Sequence, residues 1–183
     1  MTTDRTALFD HVTALLDRAG IPYALIGAAA LAIHGVSRST QDLDLLTPDA
    51  RLLDRTFWTA LPDGVSVDVR AGDAADPLAG VVRCRVSGDR DVDVVVGRAS
   101  WQAALVARAE RVRRGGRIVP TARVEDLVLL KLYAGGSQDR WDIEQLLARP
   151  DRDAIVAGVE AHIATLPRTA LELWRTIGGA RPG

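Results

Sequence analysis

The chain has 183 residues, 48% of them hydrophobic and 26% charged, with a formal net charge of −1. That length supports one sizeable core, and the near-zero charge excludes a protein coated all over with phosphate-binding side chains while leaving room for a local basic patch. Cys84 is the one cysteine, which excludes a disulfide framework and a thiolate metal cage. No apolar run approaches the roughly 18 residues of a membrane-spanning helix. The charged opening MTTDRTALFD also lacks a signal peptide's apolar stretch, so no membrane association and a cytoplasmic setting are expected.

Apolar residues at helical spacing (Leu8, Val12, Leu15, Leu16) predict an N-terminal helix closed by Gly20. Pro22 leads into a short strand, Tyr23 to Ile26, that ends at Gly27. The alanine-rich run Ala28 to Ile33 is helix-prone and stops near Gly35. Asp42 to Leu46 forms a second strand. Thr47-Pro48-Asp49 marks a helix start, with Leu52, Leu53, Phe57 and Leu61 as its buried stripe. Strands are expected at Val65 to Arg70, Val81 to Val86 and Asp91 to Val96, the last two joined at Asp89-Arg90. Beyond Gly97 the character becomes helical: Trp101 to Arg114, Val124 to Tyr133, Asp139 to Leu147, and Ala154 to Ile177 with an interruption at Pro167. Only Ile118 and Val119, before Pro120, read as extended. The expected organisation is an α/β core over residues 1 to 98, followed by a helical region over 99 to 183 packed on it.

The chemistry concentrates in QDLDLL. A strand has period two, so Asp42 and Asp44 point one way and Leu43 and Leu45 the other, with the two aspartate Cα atoms roughly 6 to 7 Å apart. Two like charges at that spacing require water, arginine or a metal ion as an answer. Asp93 lies in the apolar run VDVVV, where a charge needs a strong partner. Three hard oxygen donors suit Mg²⁺ or Mn²⁺ better than zinc. Upstream, Gly27 followed by a helix presents backbone N–H groups and a positive dipole end to a phosphate. A glycine turn into a helix, an Asp-x-Asp strand and a later strand aspartate together describe a phosphoryl-transfer site.

Each residue also has a plainer account. Asp42 and Asp44 could form a solvated strand end or pair with Arg38, and Asp93 could pair with Arg83 or Arg85, leaving Asp68 or Asp91 as the third acid. Lys131, between Leu130 and Leu132, could snorkel to the surface. Asp139 and Asp142 could serve as helix N-cap and first-turn acid. His34 at a helix end is explained by packing or by the dipole. Arg108, Arg111, Arg113, Arg114 and Arg117 form a charge run that suits a solvated face, or a groove that contacts an RNA backbone. Trp101, Trp141 and Trp174 fall at positions that read as core.

The stretches GAAALAIHGVSRSTQDLDLL, VDVVV and RVEDLVLLKLYAGGSQDRWDIEQLL, spread over roughly residues 20 to 148, resemble the nucleotidyltransferase-like proteins of the AbiEii/MenT toxin type. These belong to the DNA polymerase β-like nucleotidyltransferase superfamily. The resemblance implies an α/β fold with a small mixed sheet, flanking helices and a C-terminal helical half. It implies Mg²⁺ or Mn²⁺ held by Asp42, Asp44 and Asp93, with Asp93 also orienting the attacking acceptor. Gly27 and Ala28 would approach the triphosphate through their backbone, with Arg38 and Thr40 alongside. Lys131 would stand near the phosphates, and Asp142 matches the late aspartate of the group. The implied reaction moves a nucleotidyl group from an NTP to an acceptor hydroxyl, on RNA such as tRNA, in a toxin–antitoxin or phage-defence setting with an antitoxin partner. A protein hydroxyl, a small molecule such as an antibiotic, or a catalytically inactive nucleotide- or partner-binding module are the alternatives. Two departures bear on activity. Ala28 stands where relatives carry glycine or serine, and Gly135-Gly136-Ser137 stands where they carry arginine, unless Arg38 or Arg140 substitutes.

Overall fold

A computed structural model describes residues 7–37, 42–114 and 116–178. They fall into two compact units: residues up to Ala29 with Ser39–Ala122, and Ala30–Arg38 with the chain from Arg123 onward.

The first unit holds one seven-stranded sheet. In chain order its strands are β1 (Ala24–Ile26), β2 (Asp42–Thr47), β3 (Ser66–Ala71), β4 (Leu78–Arg85), β5 (Asp91–Gly97), β6 (Glu110–Arg114) and β7 (Arg117–Thr121). In space they run β3-β4-β5-β2-β1-β7-β6. The pairs β2–β5 and β1–β7 are parallel and the others antiparallel, so the sheet is mixed. Period-two alternation divides it. Leu43, Leu45, Val82, Cys84, Val92, Val94 and Val96 are buried on one face, against which α1 (Ala7–Arg18) packs on β5 and α3 (Ser100–Ala107) on β2. The acids and arginines of β2 to β5 occupy the other face. Helix α2 (Gly27–Ile33) begins in this unit and runs into the next.

Two segments differ from the sequence expectation. Residues 50 to 60 form two 3-10 turns, Ala50–Leu53 and Arg55–Ala60, in place of one helix. Asp54 is the reason: it is extended (φ −85°, ψ 120°), closing the first turn and capping the second through a 2.9 Å bond accepted from the Thr56 N–H. Helix α3 stops at Ala107, and the arginine-rich stretch becomes the β6–β7 hairpin, turned at Gly116 with φ +81°. Val112, Ile118 and Val119 favour the strand, and β7 gains a parallel partner in β1 that local periodicity does not reveal. The sheet therefore reaches Thr121, and the residues through Ala122 stay with the sheet-bearing unit.

The second unit is helical: α4 (Val124–Ala134), α5 (Ser137–Leu147), α6 (Arg152–Glu160), a 3-10 turn (Ile163–Thr165) and α7 (Arg168–Gly178). Helix α4 touches α5, α6 and α7, which explains why it is apolar nearly all round, with Leu127, Val128, Leu129 and Leu132 buried. It ends on left-handed Gly135, whose N–H donates to the Lys131 carbonyl. Arg149 donates from Nη1 to the His34 carbonyl, tying the short early segment to this unit. Trp101 and Trp174 are buried as expected, whereas Trp141 on α5 is exposed. No helix among the described residues is long and apolar enough to cross a membrane.

Candidate active site

Strands β2 and β5 lie in register, Asp42 opposite Asp91 and Asp44 opposite Asp93, and so turn four carboxylates to the polar face. Strand β4 continues the row, Arg83 standing opposite Asp93, and β3 ends it with Asp68 opposite Arg83. On the other flank Ile26 of β1 stands opposite Asp44, so Gly27 and the start of α2 follow directly beside that carboxylate.

The approach is close. A Cβ built on Gly27 would lie 2.1 Å from Asp44 Oδ2 and 2.8 Å from its Cγ. Gly27 also has φ +63°, a left-handed conformation that side chains resist. Glycine is thus required twice over, by backbone angle and by the carboxylate lying against its Cα. Ala28, the next residue, is buried. Arg90 donates from Nη2 to the Asp42 carbonyl at 3.2 Å, holding the start of β2.

Asp93 shares the face of Asp42 and Asp44, yet its carboxylate is engaged. Arg83 Nε donates to Oδ1 at 2.6 Å and Nη2 donates to Oδ2, a bidentate pair on a carboxyl that is 10% exposed. The Asp93 carboxylate raises the Arg83 guanidinium further above its usual range, with Asp42 and Asp91 adding to the effect. One position along, Arg85 Nε donates to Asp91 at 2.9 Å. The arginines of β4 therefore answer the acids of β5, Asp93 pairing with Arg83 and Asp91 with Arg85.

These contacts decide how a divalent ion would fit. Among the described residues no group of three acidic, histidine or cysteine side chains is arranged to hold a metal, so the expected three-carboxylate cage is not assembled here. Asp42 and Asp44 still offer hard oxygen donors on one face. Mg²⁺ is commonly held by one or two carboxylates with substrate phosphates and water completing its shell, and this pair fits that mode.

Lys131 and Asp142 belong to the second unit, where they meet each other. Lys131 Nζ lies 2.8 Å from Asp139 Oδ1 and 2.8 Å from Asp142 Oδ2, with Asp142 fully buried. Asp139 is the third residue of α5, and its Oδ2 reaches back to accept from the Gly136 N–H at 3.0 Å. It thus caps the helix from inside rather than as the N-cap. Lys131 accordingly stitches α4 to α5, with two ammonium protons committed to that task. Arg38 and Thr40 lie outside the described residues. Asp126, also fully buried on α4, gives no sign of itself in the sequence, because a first-turn acid is ordinary at a helix start.

Neither a protein-family model nor a curated protein sequence matches the chain. Solved structures do. The antibiotic-resistance factor ANT(2'')-Ia superposes with a TM-score of 0.57 at 18% identity, covering 94% of this chain and 97% of that one. The same factor in complex with adenylyl-2''-tobramycin gives 0.54 at 16%, over 88% and 98%. An antigenic nucleotidyltransferase-like protein from Paracoccidioides brasiliensis gives 0.51 at 16%, over 97% and 88%. The seven-stranded mixed sheet with its flanking helices is the nucleotidyltransferase fold.

Proposed function

We propose that the protein is a metal-dependent nucleotidyltransferase that moves a nucleotidyl group from an NTP to an acceptor hydroxyl. The observation carrying this reading is the seating of the Asp44 carboxylate against the Gly27 turn, with Asp42 two residues away on the same face. In the reaction the acceptor hydroxyl gives its proton to water as its oxygen bonds to the α-phosphorus, the bond from that phosphorus to the bridging oxygen breaks, and pyrophosphate leaves. Asp42 and Asp44 would hold Mg²⁺ or Mn²⁺, which when bound neutralises phosphate charge and stabilises the leaving group. The backbone N–H groups at Gly27 and Ala28 would face the phosphates, the alanine supplying no hydroxyl. Arg38 and Thr40 would contribute contacts to the phosphates. Asp93 would act through Arg83 rather than as a free third ligand. Lys131 and Asp142 would contribute by holding α4 to α5. A cytoplasmic setting, where NTPs are at hand, suits this reading.

Two acceptor classes have specific support. The resemblance to AbiEii/MenT-type proteins favours RNA such as tRNA and a toxin role with an antitoxin partner, and Arg111 and Arg113, exposed on β6, suit a polynucleotide backbone. The likeness to ANT(2'')-Ia, solved with an adenylylated aminoglycoside, favours a small-molecule hydroxyl. Incubation with Mg²⁺, each labelled NTP, and total tRNA, an aminoglycoside set or phosphorylated and carboxylated sugars tests them, with Asp44→Ala as the control. Label transfer that vanishes in the variant supports the enzyme and identifies the acceptor. Nucleotide binding without transfer to any acceptor refutes it in favour of a binding module.

A further inference from the structure

Charge is sorted across the polar face. Strands β2 and β5 turn Asp42, Asp44, Asp91 and Asp93 toward it. On β3 and β4 the balance reverses: Arg70, Arg83 and Arg85 against Asp68 alone. Arg55, from the preceding 3-10 turn, adds a further positive charge 4.0 Å from Asp68. Asp68, Arg70, Val81 and Arg83 line a cleft of about 260 Å³. With the strand order β3-β4-β5-β2-β1, this cleft lies on one side of the Asp44–Asp93 row and Gly27 on the other.

Arg83 is built for a second partner. Asp93 engages its Nε and Nη2, leaving Nη1 outside the pair, and the side chain is 39% exposed. A guanidinium already fixed along one edge loses little freedom when its other edge takes an oxyanion. Arg70, on the diagonal from Arg83 across β3 and β4, pairs with Asp68 at 3.0 Å from a strongly exposed position and can turn to the same ligand.

We propose that this cleft is the acceptor subsite, that it takes an acceptor carrying a phosphate or carboxylate group, and that Asp93 is the positioning residue of Arg83. The role of the bound molecule as acceptor rests on the nucleotidyl-transfer reading; the binding itself does not. The volume suits a single sugar ring, below the roughly 300 to 1,000 Å³ of drug-sized pockets. A polycation would meet Arg70 and Arg83 as like charges.

Calorimetric titration of the full chain, without nucleotide or metal, tests this with four probes: glucose 6-phosphate, glucuronate, glucose and tobramycin. At least one anionic sugar is expected to bind where glucose and tobramycin do not, and which one binds identifies the oxyanion. Arg83→Gln and Arg70→Gln each weaken that binding about tenfold, the worth of a charge-assisted hydrogen bond. Asp93→Asn weakens it as much as Arg83→Gln, and the double variant is no worse than either single one. Arg83→Lys, which keeps the charge and loses the fork, recovers part of the affinity and guards against a folding defect in Arg83→Gln. Absence of binding by both anionic sugars, tighter binding of tobramycin, or unchanged affinity in the Arg70 and Arg83 variants overturns the subsite. Wild-type affinity in Asp93→Asn overturns the positioning role. No arm requires turnover, so failure here is separable from failure of the transfer assay.

Discussion

Replacing Gly27 with alanine separates a backbone effect from a site effect, because the molecule supplies its own control. Gly20 and Gly27 have nearly equal angles, φ +64° and +63°, but a Cβ at Gly20 meets nothing within 4 Å. Gly20→Ala should therefore cost only the left-handed penalty, about 1–2 kcal/mol. At Gly27 the same penalty is joined by a Cβ 2.1 Å from Asp44 Oδ2, so the carboxylate must leave its rotamer at roughly a further 0.5–1.5 kcal/mol. Urea denaturation followed by tryptophan fluorescence, to which Trp58 and Trp101 of the first unit contribute, measures both variants. Gly27→Ala is expected to be the less stable by about 1 kcal/mol. Adding Asp44→Ala should recover that difference, since its Cβ sits 3.1 Å from the built position and needs only a small adjustment. Transfer activity should fall about a hundredfold in Gly27→Ala and be retained in Gly20→Ala. Equal stability of the two single variants, or full activity in Gly27→Ala, would refute the claim that Asp44 is seated on the turn.

Lys131→Met leaves the fully buried Asp142 without its ammonium partner and should cost about 3–5 kcal/mol in chemical denaturation, with much of that recovered by adding Asp142→Leu. Burial, with Asp93 nearby, pushes the Cys84 thiol from its ordinary 9.0 up to about 12. Its stabilising contribution is therefore complete below about pH 9 and lost as pH rises toward 12, a decline that pH-dependent denaturation should show blunted in Cys84→Ala, with Tyr23 shifted in the same direction and contributing in both proteins. Ellman's reagent should label native Cys84 no faster than the protein unfolds. Exposed Arg111 and Arg113 lie on β6, an edge strand of the sheet, so replacing both with valine should promote self-association visible by light scattering, without loss of helix signal in circular dichroism.

Local alternation is enough to place Asp42 and Asp44 on one face, because Leu43 and Leu45 are both buried opposite them. The turn at Gly27 is legible too, since a glycine set between an apolar strand and an alanine-rich helix marks a sharp change of backbone direction that only glycine takes without strain. Asp93 marks where local reading ends. Its apolar neighbours announce a buried charge, but the choice among Arg83, Arg85 and an ion depends on hairpin register, which pairs it with Arg83. The β6 arm of the hairpin reads locally as helix because α3 starts with a strong apolar pattern, and the strand that partners β7 lies almost a hundred residues upstream. Lys131 between two leucines carries no local sign of Asp142, eleven positions later and across a helix break.

Neither compact unit is continuous along the chain: residues 30–38 belong with the helices that begin at Arg123, although 84 residues of sheet-bearing sequence intervene from Ser39 to Ala122. During synthesis the first unit has all its strands once Thr121 has emerged, while the early segment must wait, looped out, for partners the ribosome has yet to make. Cutting the gene at the apparent boundary would therefore orphan that segment rather than liberate a self-sufficient fragment. Circular permutation or excision should respect three crossings of the chain, not one.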